Sequence, residues 1–239
     1  MQITKLGHCC LVLDVDGTKI LTDPGSYTNA QNELTGIDIV LITHEHGDHF
    51  HAESVAAVIK NNPEAKVVCN SAVAVLIKKE NLASAVTVVG DGESTTIKGV
   101  LIEGFGTEHA LIYGDMGKCE NTGYMISGKV LFSSEARETK NSDSSFPSER
   151  RKYSNLYFPG DNFEQPHKAV DVLALPVAGP WMKIAECIDF AKAIKARVAF
   201  GVHDGMIERS SRGFTGMILK KFVPDTEYVT LADGESREF

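Results

Sequence analysis

No apolar run in the sequence approaches the roughly 18–20 residues needed to span a bilayer, so no membrane partner is expected. The opening stretch MQITKLGHCCLVLDVDG lacks a signal peptide's basic start, long apolar middle and small-residue cleavage site, and the chain reads as cytoplasmic. Cysteine is sparse and unpaired in pattern. There are five, Cys9, Cys10, Cys69, Cys119 and Cys187, an odd number with no CxxC; in a chain this long with an ordinary core this argues against a disulfide framework and leaves reduced thiols expected in the interior. No GxSxG elbow and no GxxxxGK[ST] loop is present, so serine-nucleophile and P-loop chemistries lack their machinery. Positive charge is also in deficit: the net charge is −8, which disfavours long nucleic acid as a partner. The short ERRK run at 149–152 has acids nearby and reads as a solvated face. No fixed-period repeat suggests a solenoid.

What is present is an ordinary globular composition, 43% apolar and 23% charged over 239 residues, enough for a sizeable core. QITKL, CLVLDVDG and TKILTDPG read as strands, with a hairpin turn at Asp16–Gly17. IDIVLIT is continuously apolar, as expected of a strand covered on both faces. AESVAAVIKNN, closed by Pro63, reads as a helix, AKVVCN as a strand and SAVAVLIKKENL as a helix capped by Ser71. Three strands follow in AVTVVGDGESTTIKGVLIEGF, then a hairpin in TGYMISGKVLF. Later come a strand in DVLALPV, a helix in KIAECIDFAKAIKA with a 3.6-residue apolar period, a strand in RVAFGVHDG, a last helix in GFTGMILKKFV and a last strand in EYVTL. Strands in two batches, each followed by β–α units, imply two mixed sheets packed together with helices outside. We expect a single domain over 1–239, with an inserted polar loop at about 133–156 where serine and charge replace apolar residues.

The densest chemistry lies in THEHGDHFH, residues 43–51, directly after the IDIVLI run. His44, His46, Asp48 and His49 occupy alternate or adjacent positions on a strand-to-helix loop, where α/β folds place sites. Neutral imidazole and carboxylate are good donors to first-row divalent metals, and neighbouring imidazoles that would repel when protonated tolerate one another around a cation. Four donors on one loop cannot surround a metal, so other strand exits must contribute. His109, Asp161 and His203 each follow an expected strand (VLIEGF, LYF and RVAFGV) and meet that requirement.

The order His44, His46, Asp48, His49, His109, Asp161, His203 resembles the metal-ligand order of the metallo-β-lactamase superfamily. GHCCLVLDVDGTKILTDPG, NTGYMI, FPGD and LALPVAGPWMKIAECIDFAKAIKARVAFGVHDG are similar to its bacterial metal-dependent hydrolase branch, related to the ascorbate-phosphate lactonases. The resemblance implies an α/β (α+β) four-layer αββα sandwich. It also implies one metal site from His44, His46 and His109 and a second from Asp48, His49 and His203, bridged by Asp161. Members of that branch run from the hairpin directly into GD, so the polar insertion is a departure.

The expected chemistry is hydrolysis of a small ester, lactone or phosphoester by a metal-bound hydroxide at two divalent ions, with Zn2+ the best fit and Mn2+ or Fe compatible. Asp48 and Asp161 are the expected catalytic carboxylates, and His8 in LGHCC is a candidate to touch substrate or to serve structurally. Asp23 reads either as a turn residue or as an acceptor for a ligand imidazole. Trp181 is either core or pocket wall. Glu45 is expected to point away from the metals, and His51 and His167 to lie on the surface. A small-molecule substrate is the expected partner, and a homo-oligomer is compatible with the sequence. Rival readings are a nucleic-acid phosphodiesterase on the same fold, a di-metal redox protein and a metal sensor.

Overall fold

The computed structural model describes residues 1–128 and 155–239. The first half begins with three antiparallel strands, β1 (Gln2–Gly7), β2 (Cys10–Val15) and β3 (Thr18–Thr22). It then alternates strands with helices: β4 (Ile39–Ile42), α1 (Ala52–Asn61), β5 (Lys66–Cys69), α2 (Ser71–Lys79) and β6 (Val86–Val88). The second half repeats the scheme. Antiparallel β7 (Ser94–Ile97), β8 (Val100–Phe105), β9 (Gly123–Ser127) and β10 (Asn155–Phe158) precede β11 (Val172–Pro176), α3 (Ile184–Ile194), β12 (Val198–Val202), α4 (Arg212–Phe222) and β13 (Glu227–Val229). A short β14 (Ser236–Glu238) returns to the first sheet beside β1. Each sheet has seven strands, in the orders β14-β1-β2-β3-β4-β5-β6 and β13-β12-β11-β10-β9-β8-β7.

Side-chain alternation explains the layers. In β4, Ile39 and Leu41 enter the core between the sheets, while Val40 and Ile42 pack with Val55, Val58, Val73 and Ile77 of α1 and α2. In β12, Val198, Phe200 and Val202 face the same central core, and Ala199 joins Cys187, Phe190 and Leu219 of α3 and α4. A strand buried on both faces must be apolar throughout, which is why IVLI reads as a continuous run. The result is a helix–sheet–sheet–helix sandwich, in agreement with the expected architecture. Asp16 and Gly17 both adopt positive φ (51° and 86°), the geometry of a tight two-residue hairpin.

Two expectations need correction, and a third falls partly outside the described residues. Asn70, not Ser71, caps α2: its side chain accepts from Val73 N at 3.0 Å, and Ser71 is already helical. The cap falls there because Asn70 Nδ2 is also committed to Thr43 O (2.9 Å) and Glu120 O (3.2 Å), contacts invisible in the local sequence. The segment EYVTL is not the final strand, since β14 follows. Its fully exposed SRE carries no apolar signal and is defined by pairing with β1. Finally, β9 pairs with β8 and β10, and the KVLF half of the expected hairpin, like the insertion from 133 up to residue 154, lies outside the described residues.

The anchors on either side of that segment are informative. Ser127 of β9 faces Asn155 of β10, at the end of the strand pair opposite Asn121 and Asp161. An Asn70→Ala chain should lose about 1–2 kcal/mol of stability through the missing cap and its two crossing bonds. Urea unfolding reads this as a lower midpoint, and an unchanged midpoint would contradict the role given to Asn70.

Candidate metal centre

The centre is built where strands of both sheets end. The loop after β4 carries His44, His46, Asp48 and His49 in a tight turn, with His46 O accepting from the backbone of His49 (2.9 Å) and Phe50 (2.7 Å). The loop after β3 clasps it: Ser26 N donates to Gly47 O (2.9 Å) and His51 N to Pro24 O (3.2 Å). Gly25 makes this approach possible, because a Cβ there would lie 1.7 Å from Asp48 O. From the second sheet come His109 after β8, Asp161 after β10 and His203 after β12. Asn121 fastens the Asp161 turn, accepting from Asp161 N and donating to Pro159 O, both at 3.0 Å, and it bridges to His44 through the backbone. Gly160, at φ 66°, fits there because a Cβ would come within 2.4 Å of Asn121 Oδ1.

All seven residues expected from the sequence to bind metal converge. Donor atoms of His44, His46 and His109 form one group within 4.8 Å of one another, and those of His8, Asp48, His49 and His203 form another. Asp161 touches both: Oδ2 lies 3.3 Å from His109 Nε2 and 2.9 Å from His203 Nε2, and Oδ1 lies 3.2 Å from His49 Nε2. Glu45 is in neither group.

The imidazoles are held from behind. Asp23 is completely buried. Its Oδ1 accepts from Thr43 N (2.8 Å), and its Oδ2 accepts from Thr43 Oγ1 (2.8 Å) and pairs with His49 Nδ1 (2.7 Å). With its proton committed to Asp23, the Thr43 hydroxyl accepts from His44 Nδ1 at 3.0 Å. His109 Nδ1 donates to Ala110 O at 2.5 Å. Each of these bonds puts the ring proton on Nδ1 and turns the Nε2 lone pair inward. The Nε2 atoms of His44, His49, His109 and His203, together with Asp161 Oδ1, are buried and have no hydrogen-bond partner. Leaving such atoms unmatched costs roughly 1–3 kcal/mol each, so their convergence fits a bound cation.

His8 behaves differently. Its Nδ1 accepts from Gly205 N (3.2 Å), which leaves the proton on Nε2 to donate to Asp48 Oδ2 at 3.1 Å. It cannot ligate through Nε2 without surrendering both bonds. Burial pushes its pKa down to about 4, so the ring is a neutral donor that orients Asp48. His8, Asp23 and His203 all have left-handed backbones (φ 53°, 36° and 58°), a strain of order 1–3 kcal/mol each of the kind that clusters at functional sites.

Electrostatics follow the crowding. Burial would raise the Asp48 and Asp161 carboxyls, but the surrounding histidines overcome it and hold both far below the usual range. Burial would depress His203, but Asp161 and Asp48 outweigh it and raise the ring to about 9. For His44, burial and then His49 outweigh the opposing pull of Asp161, and the ring is pushed well down.

Several participants carried no clear sequence signal. Trp181, buried, donates from Nε1 to Asp161 Oδ2 at 2.8 Å while its face lines the cleft, so both earlier readings hold at once. Cys9 Sγ groups with His49 and Asp161, but burial, then Asp161, raise the thiol well above its usual pKa, leaving it protonated. All five cysteines are unpaired, with Cys119 half-buried and its Sγ 3.6 Å from His46 Nε2. His51 is not a surface residue as expected. It sits half-buried at the start of α1, where His51 O accepts from Val55 N and Nδ1 meets Ser54 Oγ at 3.0 Å. His167 is exposed, as expected.

A two-sheet sandwich with imidazoles and carboxylates gathered at its strand ends defines a class of cation-binding α/β proteins. The family described as the beta-lactamase superfamily domain matches residues 2–203, and the chain belongs to the metallo-β-lactamase superfamily. It is similar to Protein Rv0786c of Mycobacterium tuberculosis, 28% identical over 213 residues that cover 89% of this chain and 88% of that protein. It is also 28% identical to a UPF0173 metal-dependent hydrolase of Aeropyrum pernix, covering 100% of this chain and 97% of that one. In fold it resembles Igni18, a metallo hydrolase from the archaeon Ignicoccus hospitalis, with a TM-score of 0.71, 18% identity, and coverage of 100% and 97%. Among the described residues, no helix is long and apolar enough to cross a membrane.

Removing the Asp23 carboxylate by an Asp23→Ala change should weaken divalent-cation binding about 10–100-fold in calorimetry. Cation binding must displace the His203 proton, so proton release should accompany it at neutral pH, and apparent affinity should fall as pH drops below about 9. Titrations in buffers of different ionisation enthalpy measure this, and a pH-independent affinity would contradict it.

Proposed function

We propose that the chain is a metal-dependent hydrolase with a dinuclear centre acting on a small ester, lactone or phosphoester. The observation that carries the reading is the set of buried, partnerless Nε2 atoms and the Asp161 oxygen aimed at one volume. In this reading His44, His46 and His109 would hold one divalent ion and Asp48, His49 and His203 a second, with Asp161 within reach of both groups. A pair of divalent cations supplies Lewis acidity and a hydroxide nucleophile at neutral pH. Imidazole-rich donor sets favour zinc, with manganese or iron compatible with the carboxylates.

The chain's own residues supply the rest. Asp23, directly and through Thr43, fixes the tautomers of His49 and His44. Trp181 holds the Asp161 carboxylate in place and keeps water from its buried side. His8 holds the same Asp48 oxygen that faces His203 and His49 and stays neutral, so it adds no positive charge beside the centre. The cleft above these groups has a volume of about 250 Å³, on the scale of a small molecule, and the net charge of −8 weighs against nucleic acid. A cytoplasmic location accords with reduced cysteines.

Metal analysis and a panel of ester, lactone and phosphodiester substrates test the proposal on the wild type, His46→Ala and Asp161→Ala. Since loss of a mere supporting contact costs 10–100-fold, loss of either ligand should cut turnover by more than about a hundredfold and lower metal content. Full metal occupancy with no hydrolysis across the panel would sink the proposal.

A further inference from the structure

We infer that the substrate of this centre is a carboxylic ester or lactone with an aliphatic acyl group, seated against Tyr27, Ile112, Trp181 and Met206. The inference rests on the hydrolytic reading above and narrows it. The cleft that contains His46, Asp48, His109, Asp161 and His203 is otherwise walled by those four side chains, Pro180, Ser26 and Gly47. Among the described residues, no lysine or arginine lines it. A site that recognises a phosphate beyond its metals would be expected to offer such a group. Among the described residues, Arg209 and Arg212 line a neighbouring cavity that shares Tyr27 and Met206; Arg212 is paired with Asp233 at 3.0 Å, and Arg209 is largely exposed, 3.7 Å from the same carboxylate.

The apolar surface extends beyond the cleft. Eleven large apolar residues are exposed among the described residues, and five of them sit on this rim or on the loop that supplies Ile112: Tyr27, Leu111, Tyr113, Met116 and Met206. Scattered exposed apolar residues need no explanation, but a concentration beside a set of reactive groups does. The loop follows His109 directly and places four apolar side chains within Leu111–Met116. It is a formed structure, closed by Met116 N to Tyr113 O (2.9 Å) and Ile112 N to Met116 O (3.2 Å), and it is tied to the centre by Ala110 N to Asp161 O (2.9 Å). Tyr27 is likewise fixed, its ring 4.5 Å from that of His8. An acyl carbon over the metal donors would have its chain leave along this wall. Hydrolysis joins the oxygen of water to that carbon and breaks the acyl C–O bond, and the departing alcohol takes up a proton from the same water.

Two series of equal chain length on the metal-loaded protein test this. One is p-nitrophenyl esters from acetate to octanoate, read as kcat/KM. The other is aliphatic hydroxamates, read as binding by calorimetry without turnover. Both should rise at least about tenfold from two to six carbons, since each buried methylene contributes up to a few-fold. Met206→Asp and Ile112→Asp should flatten both slopes. Hydroxamate affinity that climbs with length while no ester is cleaved upholds the apolar subsite and removes the hydrolytic reading. Turnover and affinity that are flat with length overturn the subsite and leave the hydrolytic reading intact, as would a preference for p-nitrophenyl phosphate over every ester.

Discussion

Buried imidazoles and carboxylates crowded against one another are the constraint on which this molecule turns. Four imidazole nitrogens and a carboxylate oxygen meet where the two sheets end. Water is largely excluded, and the Nδ1 atoms of His44, His49 and His109 are committed to partners elsewhere. Asp23 is the root of that commitment, because its two oxygens fix Thr43 and His49 directly and His44 through Thr43. A single buried carboxylate thereby sets the direction of two imidazoles on a loop that is not its own. The cation we assign to the centre answers a demand the fold has already created.

Position follows from architecture. Each sheet contributes donors, the first through the loop after β4 and the second through the exits of β8, β10 and β12. The shared core between the sheets, with Leu41, Tyr124, Phe158 and Phe200 fully buried, holds those exits in register. Asn70 and Asn121 then stitch the sheets locally, Asn70 from α2 to Thr43 and Glu120, and Asn121 from the start of β9 to the Asp161 turn. The left-handed conformations of His8, Asp23 and His203 are held against their own preference by this surround.

Much of this was legible in the sequence, for an identifiable reason. Apolar periodicity locates strand ends, and donor residues placed just beyond them mark a shared edge, so His44 through His203 could be grouped although 159 positions separate the first from the last. What escaped was whatever is defined by contact alone. Asn121 looks like any turn asparagine until its partners across the sheet are known. Trp181 could be assigned to core or cleft but not to its bond with Asp161. Ser71 seemed the natural cap because the crossing bonds of Asn70 have no local signature, and β14 has no apolar pattern because an edge strand of three exposed residues needs none. His8 could be read as touching substrate or as structural, and only the Gly205 amide reveals which of its nitrogens carries the proton.

The pairing of Ser127 with Asn155 has a consequence for how such a chain can diversify. The two strands meet the intervening stretch at the end of the sheet remote from Asp161, a strand's length away, roughly 10–15 Å. Sequence can therefore be gained or lost between those anchors while the register of β9 against β10 carries the carboxylate unchanged to its place. Closing a longer loop costs little, about 0.6 kcal/mol per doubling. In such a scaffold, change at one pole of the sandwich need not disturb the reactive groups at the other.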